Sequence, residues 1–240
     1  IDPQVVKIAQ NAAHYAVQKP DEVTDLVDFK QPEISDTDLK APIYIDFGPT
    51  SLSATPWNNI TSHQESSTTS WIKDAENNYT NIGVRVLGGF TATHAGVGSE
   101  PASPVTVDGV EFPLTAWKDG LLVKGEKNQG DVGPGRIEIS QLDAARKYNF
   151  TILAIRFNGS KDARISSYKL IGKTESAVKE VKTGIKDVAS FNAANFEEYI
   201  AKFENVEPDS EGKVIVEVKG LDTGSAAEGH INALCINLVK

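Results

Sequence analysis

Between residues 148 and 171 the apolar positions first saturate a strand and then alternate with polar ones. The run NFTILAIRF, 149–157, is rich in β-branched and aromatic residues, which favour a pleated strand. Leu153, Ile155 and Phe157 fall on one face of such a strand, and Phe150, Ile152 and Ala154 on the other. Apolar on both faces, it is expected inside a sandwich. Asn158-Gly159-Ser160 supplies turn chemistry, because Asn and Gly accept positive φ at little cost. The return run 164–171 is half polar and predicts a strand with one wet face. Together they predict a central hairpin.

The same pattern recurs along the chain. Ile43, Ile45 and Phe47 alternate with Tyr44 and Asp46, a half-buried strand closed by Gly48-Pro49. Residues 81–87 predict another, with Ile82, Val84 and Val86 inward. Shorter strands are expected near 105–107, 110–112, 121–123, 136–139 and 177–181, and longer ones over 214–218 and 231–239. The polar region 50–78 and the glycine- and proline-rich stretch 88–104 read as loops. Phe196, Tyr199, Ile200 and Phe203 have helical spacing, yet Tyr199, Ala201 and Phe203 also alternate; the turn at 207–212 favours a strand over 199–206. Only the start looks helical. Asp2 suits an N-cap, Pro3 the first helical position, and Val5, Ile8, Ala9, Ala12 and Ala16 share a face. An acidic, Pro-punctuated linker follows to residue 40. The expectation is an all-β antiparallel sandwich over 41–240 behind a helical extension over 1–40.

Charge narrows the partners. A formal net charge of −9 and no Lys/Arg cluster argue against nucleic acid and anionic membrane surfaces. No apolar run approaches the ~20 residues that span a bilayer. Cys235 is the single cysteine, so neither an intrachain disulfide nor a cysteine-based zinc site can form. Asn59, Asn78, Asn149 and Asn158 each begin a glycosylation sequon, although Asn149 opens a buried strand.

Three segments, YIDFGPTS…WNN, VEPDSEGKVIVEV and INALCINL, resemble the jelly-roll modules of the galactose-binding-like and malectin-like type. The resemblance covers roughly 41–240. It implies neighbouring first and last strands, export to the bacterial periplasm or cell surface as in Bacteroides-type secreted proteins, and linkage to polysaccharide recognition. Such folds often carry a structural calcium. Asp46, Asp222 and Glu228 are the oxygen donors near strand ends, against the plainer reading of solvated carboxylates.

Catalytic chemistry finds no foothold. There is no Gly-x-Ser-x-Gly elbow, and the four histidines carry no motif. His63 and His94 fall in expected loops, without a second histidine at metal-ligand spacing. Sugar binding needs an exposed aromatic ring flanked by polar hydrogen-bonding groups. Trp57 beside Asn58 and Asn59 matches that recipe best, and Trp71 near Lys73, Asp74 and Asn77 less well. Against this stands the general burial of tryptophan. The reading is a non-catalytic carbohydrate-binding module with Trp57, Asn58, Asn59, Trp71 and His94 around a loop-end site. A structural or protein-interaction spacer and a divergent glycoside hydrolase are the alternatives.

Overall fold

The computed structural model describes residues 39–95, 104–124, 134–157, 164–185, 193–221 and 228–240. All belong to the unit spanning 34–240. The helix expected at the start and the linker up to residue 38 lie outside the described residues, as does Asp222.

In chain order the first strands are β1 (Ile43–Phe47), β2 (Trp57–Ile60), β3 (Thr68–Thr69), β4 (Gly83–Gly88) and β5 (Ala92–Ala95). A small hairpin, β6 (Val105–Val107) and β7 (Val110–Phe112), leads through the short helix α1 (Thr115–Lys118) into β8 (Asp119–Lys124). Then come β9 (Gly135–Ser140), β10 (Tyr148–Leu153), β11 (Arg156–Phe157), β12 (Ile165–Ile171), β13 (Lys179–Lys182) and β14 (Gly184–Ile185). A 3-10 helix over Ala193–Tyr199 precedes β15 (Ile200–Val206), β16 (Val214–Gly220), β17 (Glu228–Ile231) and β18 (Ala233–Leu238).

Two principal sheets form the body, one of five strands in the order β15-β10-β18-β1-β2 and one of six in the order β13-β12-β16-β9-β4-β3. From β9 onward each long strand lies in the sheet opposite its predecessor: β9, β12 and β16 in the larger, β10, β15 and β18 in the smaller. That alternation, with antiparallel pairing of β10 to β15 and of β12 to β16, is a jelly roll. First and last strands are neighbours, as expected, with Ile43 opposite Ile236 and Asp46 opposite Ala233.

The expected central hairpin is not one. β10 is held between β15 and β18, and β12 between β13 and β16, so the two strands lie in different sheets. A strand dry on both faces needs neighbours of the same character. β10 finds them in Ala201 and Phe203 on one side and Leu234 and Ile236 on the other. The half-polar β12 would have brought Ser and Lys onto the dry outer side.

The inner faces enclose the main core, to which Ile45, Phe47, Val84, Ile137, Phe150, Tyr168, Val216 and Leu234 belong. A second apolar cluster covers the outer face of the smaller sheet, where the β6–β7 hairpin, α1 and the 3-10 helix pack Phe112, Trp117, Phe196 and Tyr199 against Leu153, Ile155 and Cys235. This explains why β10 and β18 are apolar on both sides. Both periodicities read in 196–206 are realised in succession, the helical one through Tyr199 and the alternating one from Ile200. The outer face of the larger sheet is polar and carries cross-strand ion pairs, Arg85 to Glu138 at 3.2 Å and Arg136 to Glu217 at 2.9 Å.

Candidate functional site

β2 runs parallel to β1 at the edge of the smaller sheet and carries Trp57, Asn58 and Asn59. Trp57 is half-buried, its ring 5.3 Å from that of Tyr44 and 5.8 Å from that of Phe112. It closes the outer cluster and is not a free platform. Both asparagines are engaged with backbone. Asn59 accepts from the N–H of Ser53 at 2.9 Å and donates to its carbonyl at 3.0 Å, which folds the 48–53 loop onto β2. Asn58 donates to the carbonyls of Tyr44 (2.9 Å) and Lys73 (2.8 Å) and accepts from the N–H of Lys73 at 2.8 Å. The Asn side chains that suggested a sugar rim are the pins of two loops.

What Asn58 holds is the turn that displays Trp71. Ile72 is buried in the main core and exchanges backbone bonds with Thr80 and Ile82. Lys73 and Tyr79 then pair across a narrow antiparallel ladder. Buried Asp74 organises the tip, its Oδ1 accepting from the N–H groups of Glu76 (3.0 Å) and Asn78 (2.9 Å). Trp71 and Tyr79 flank this rigid turn at 40% and 48% exposure, and among the described residues no other aromatic ring is so open to solvent. The Lys73 ammonium lies 4.7 Å from the Tyr79 ring centroid, within cation–π range. Trp71 has a φ of +54°, in the left-handed region. For a bulky residue this costs about 1–3 kcal/mol and recurs at functional positions. Tyr79 escaped the sequence reading because nothing local separates an outward tyrosine from a core one; the Asp-Ala-Glu-Asn-Asn turn between 73 and 79 was the available signal.

His94 is not a loop residue. It lies on β5, paired with β8, and is buried with its ring 4.8 Å from that of His230 in an edge-to-face contact. Glycine at 120 leaves room for it, since a Cβ there would come within 2.9 Å of His94 Nε2. Burial, with Arg156 and Arg164 nearby, pulls the His94 imidazole down to about 3, and His230 is likewise held well below its ordinary value by burial first. Glu228 binds both arginines through Oε2, Arg156 at 3.0 Å and Arg164 at 2.9 Å. His94 and Glu228 thus belong to one polar cluster, away from Trp57 and Trp71 in the strand order.

Asp46 meets a different acid. It is buried at the end of β1, and its Oδ2 accepts from the N–H of Ser53 at 3.0 Å. Asp119, at the start of β8, accepts through Oδ2 from the N–H groups of Thr50 and Ser51. The Oδ1 atoms of both are sealed from solvent without a partner. Burial, and then the charge of Asp119, push the Asp46 carboxyl up to about 7. Calcium takes about six to eight oxygen ligands. Among the described residues no third acid or histidine joins this pair. Burial is the first cause of the raised proton affinity of both carboxyls.

No family model matches the chain, and no curated protein matches it. Solved structures do. TmCBM61, in complex with β-1,4-galactotriose, is 15% identical over 65% of this chain and 88% of its own, with a TM-score of 0.34. The ANX2 ectodomain from Arabidopsis thaliana is 8% identical over 72% of this chain and 53% of its own, with a TM-score of 0.42. The CBM32 of AlyQ, in complex with 4,5-unsaturated mannuronic acid, is 12% identical over 62% of this chain and 95% of its own, with a TM-score of 0.30. The fold, by its own sheet order, is an antiparallel jelly roll. At these identities the likeness is one of strand arrangement and carries nothing about a ligand.

Proposed function

We propose that the domain is a non-catalytic carbohydrate-binding module of an exported bacterial polysaccharide-utilisation protein, and that the Trp71–Tyr79 turn is its contact surface. One observation carries the reading: Trp71 is held in a left-handed backbone conformation with its ring turned to solvent. Neither feature aids folding. The strained backbone costs energy, and the exposed two-fifths of Trp71 forgoes burial worth about 1–2 kcal/mol. Two rings beside Lys73 and Asn77, on a turn pinned by Asp74 and Asn58, give apolar faces for C–H edges and polar groups for hydroxyls. Export and the polysaccharide context come from the resemblance in the three sequence segments.

Glycan-array screening followed by calorimetric titration tests this. Trp71→Ala and Tyr79→Ala should each weaken binding by ~10-fold or more, about 1.4 kcal/mol, while Trp57→Phe leaves affinity within about twofold, or 0.4 kcal/mol. Absence of binding to every glycan would leave the spacer role in its place. Glycan turnover would remove the non-catalytic reading.

A further inference from the structure

Seven of the nine sealed, unpartnered side-chain nitrogen and oxygen atoms among the described residues fall in one place. They are Nε of Arg156, Nε and Nη1 of Arg164, and both ring nitrogens of His94 and of His230. Arg164, His94 and His230 are each more than nine-tenths buried. Buried polar atoms are nearly always hydrogen-bonded, and each donor left bare costs about 1–3 kcal/mol. Such a concentration calls for an occupant.

Among the described residues the only acid that meets these groups is Glu228, and a single oxygen of it serves both arginines. Its Oε2 lies 3.0 Å from Arg156 Nη1, 2.9 Å from Arg164 Nη2 and 3.9 Å from His230 Nε2. Among the described residues, two guanidinium charges against one carboxylate leave an excess of one positive charge beside two neutral imidazoles, each of which offers one N–H. The chemistry is donor-rich and cationic, which repels a metal ion and favours an anion. A monoanion completes the balance, whereas a dianion overshoots it. Four side chains supply the free donors, and a carboxylate, with two oxygens and about four acceptor positions, can serve several at once. Arg156 and Glu228 remain partly exposed, at 17% and 29%, so the cluster opens to solvent on their side.

We infer that Arg156, Arg164, His94 and His230, organised by Glu228, form a binding site for a carboxylate, free or borne on a sugar. It does not depend on the Trp71–Tyr79 surface. The site explains why the polar cluster sits where β11, β12 and β17 begin, a position a purely structural core would fill with apolar side chains.

The test is the melting temperature of the whole chain at pH 7 and fixed ionic strength, with sodium acetate, sodium glucuronate or sodium chloride. Both carboxylates should raise it saturably, by several degrees, and chloride should not. Arg164→Gln should abolish the shift. Because that variant removes a buried ion pair on which folding depends, Arg156→Gln, at the more open edge, is measured as well and should weaken the apparent affinity at least tenfold. Histidine Cε1–H resonances followed by NMR should move with the same saturation curve. A stronger response to glucuronate than to acetate assigns the carboxylate to a sugar, and equal responses assign it to a free acid. Equal effects of chloride, no saturable shift, or an unchanged shift in both arginine variants would each overturn the site, with the Trp71 surface judged separately on neutral glycans.

Discussion

Replacing Asp46 with asparagine should make the domain more stable above neutral pH. The carboxyl is buried beside Asp119, with one oxygen bonded to Ser53 and the other bare. Its affinity for a proton rises from the ordinary 3.8 to about 7. Between those values the folded chain keeps a proton that the unfolded chain has released. Raising the pH through that window therefore lowers stability, and the loss ends above about 7. From 3.8 to about 7, at about 1.4 kcal/mol per pH unit, the integrated loss is about 4 kcal/mol. Relaxation and water penetration reduce this, so about 2–4 kcal/mol is the working range. Asparagine keeps the acceptor for Ser53 and cannot ionise. At pH 8 the variant should gain about 5–10 °C in melting temperature, on the scaling of about 2–4 °C per kcal/mol for a domain of this size. At pH 4 the two proteins should converge. Thermal unfolding from pH 4 to 9 in EDTA, wild type against Asp46→Asn, measures the difference directly. Parallel pH profiles, or a variant less stable at pH 8, would refute the retained proton. A calcium ion between Asp46 and Asp119 would give the reverse pattern: added calcium would stabilise the wild type at pH 8, and the asparagine variant would lose that gain.

Two further outcomes follow from close contacts. Asn58→Ala removes three bonds to the Tyr44 and Lys73 backbone and should cost about 1–3 kcal/mol in urea unfolding, with weaker glycan binding because the Trp71 turn loses its pin. Retained stability together with unchanged hydrogen exchange at Lys73 would show the pin to be idle. Gly48→Ala should cost at least about 1–3 kcal/mol, because φ is +132° and the added Cβ would lie 2.4 Å from the Asp119 carboxyl carbon. A neutral Gly48→Ala would mean that the 48–53 loop can shift without disturbing Asp119.

Much of this protein is legible from local pattern alone. Period-two alternation in 43–47 and 81–87, and saturation in 149–157 and 231–239, located strands because burial on one face or on both leaves its mark on adjacent residues. The fold class followed from the number of such strands and the absence of helices between them. Pairing did not follow. The split of β10 and β12 between sheets depends on which distant strands can cover two dry faces, and that is a property of β15 and β18, 47 residues and more away along the chain. The site divided in the same way. Trp71 was recognisable as an aromatic in polar company, but its exposure arises from Ile72 and Asn58 anchoring the turn behind it. Trp57 and His94 had equally polar neighbours in sequence and are covered by Phe112 and His230, residues far along the chain. The pairing of Asp46 with Asp119 and the gathering of two arginines on Glu228 likewise belong to the tertiary structure, because charge interactions act across space and leave no spacing in the sequence.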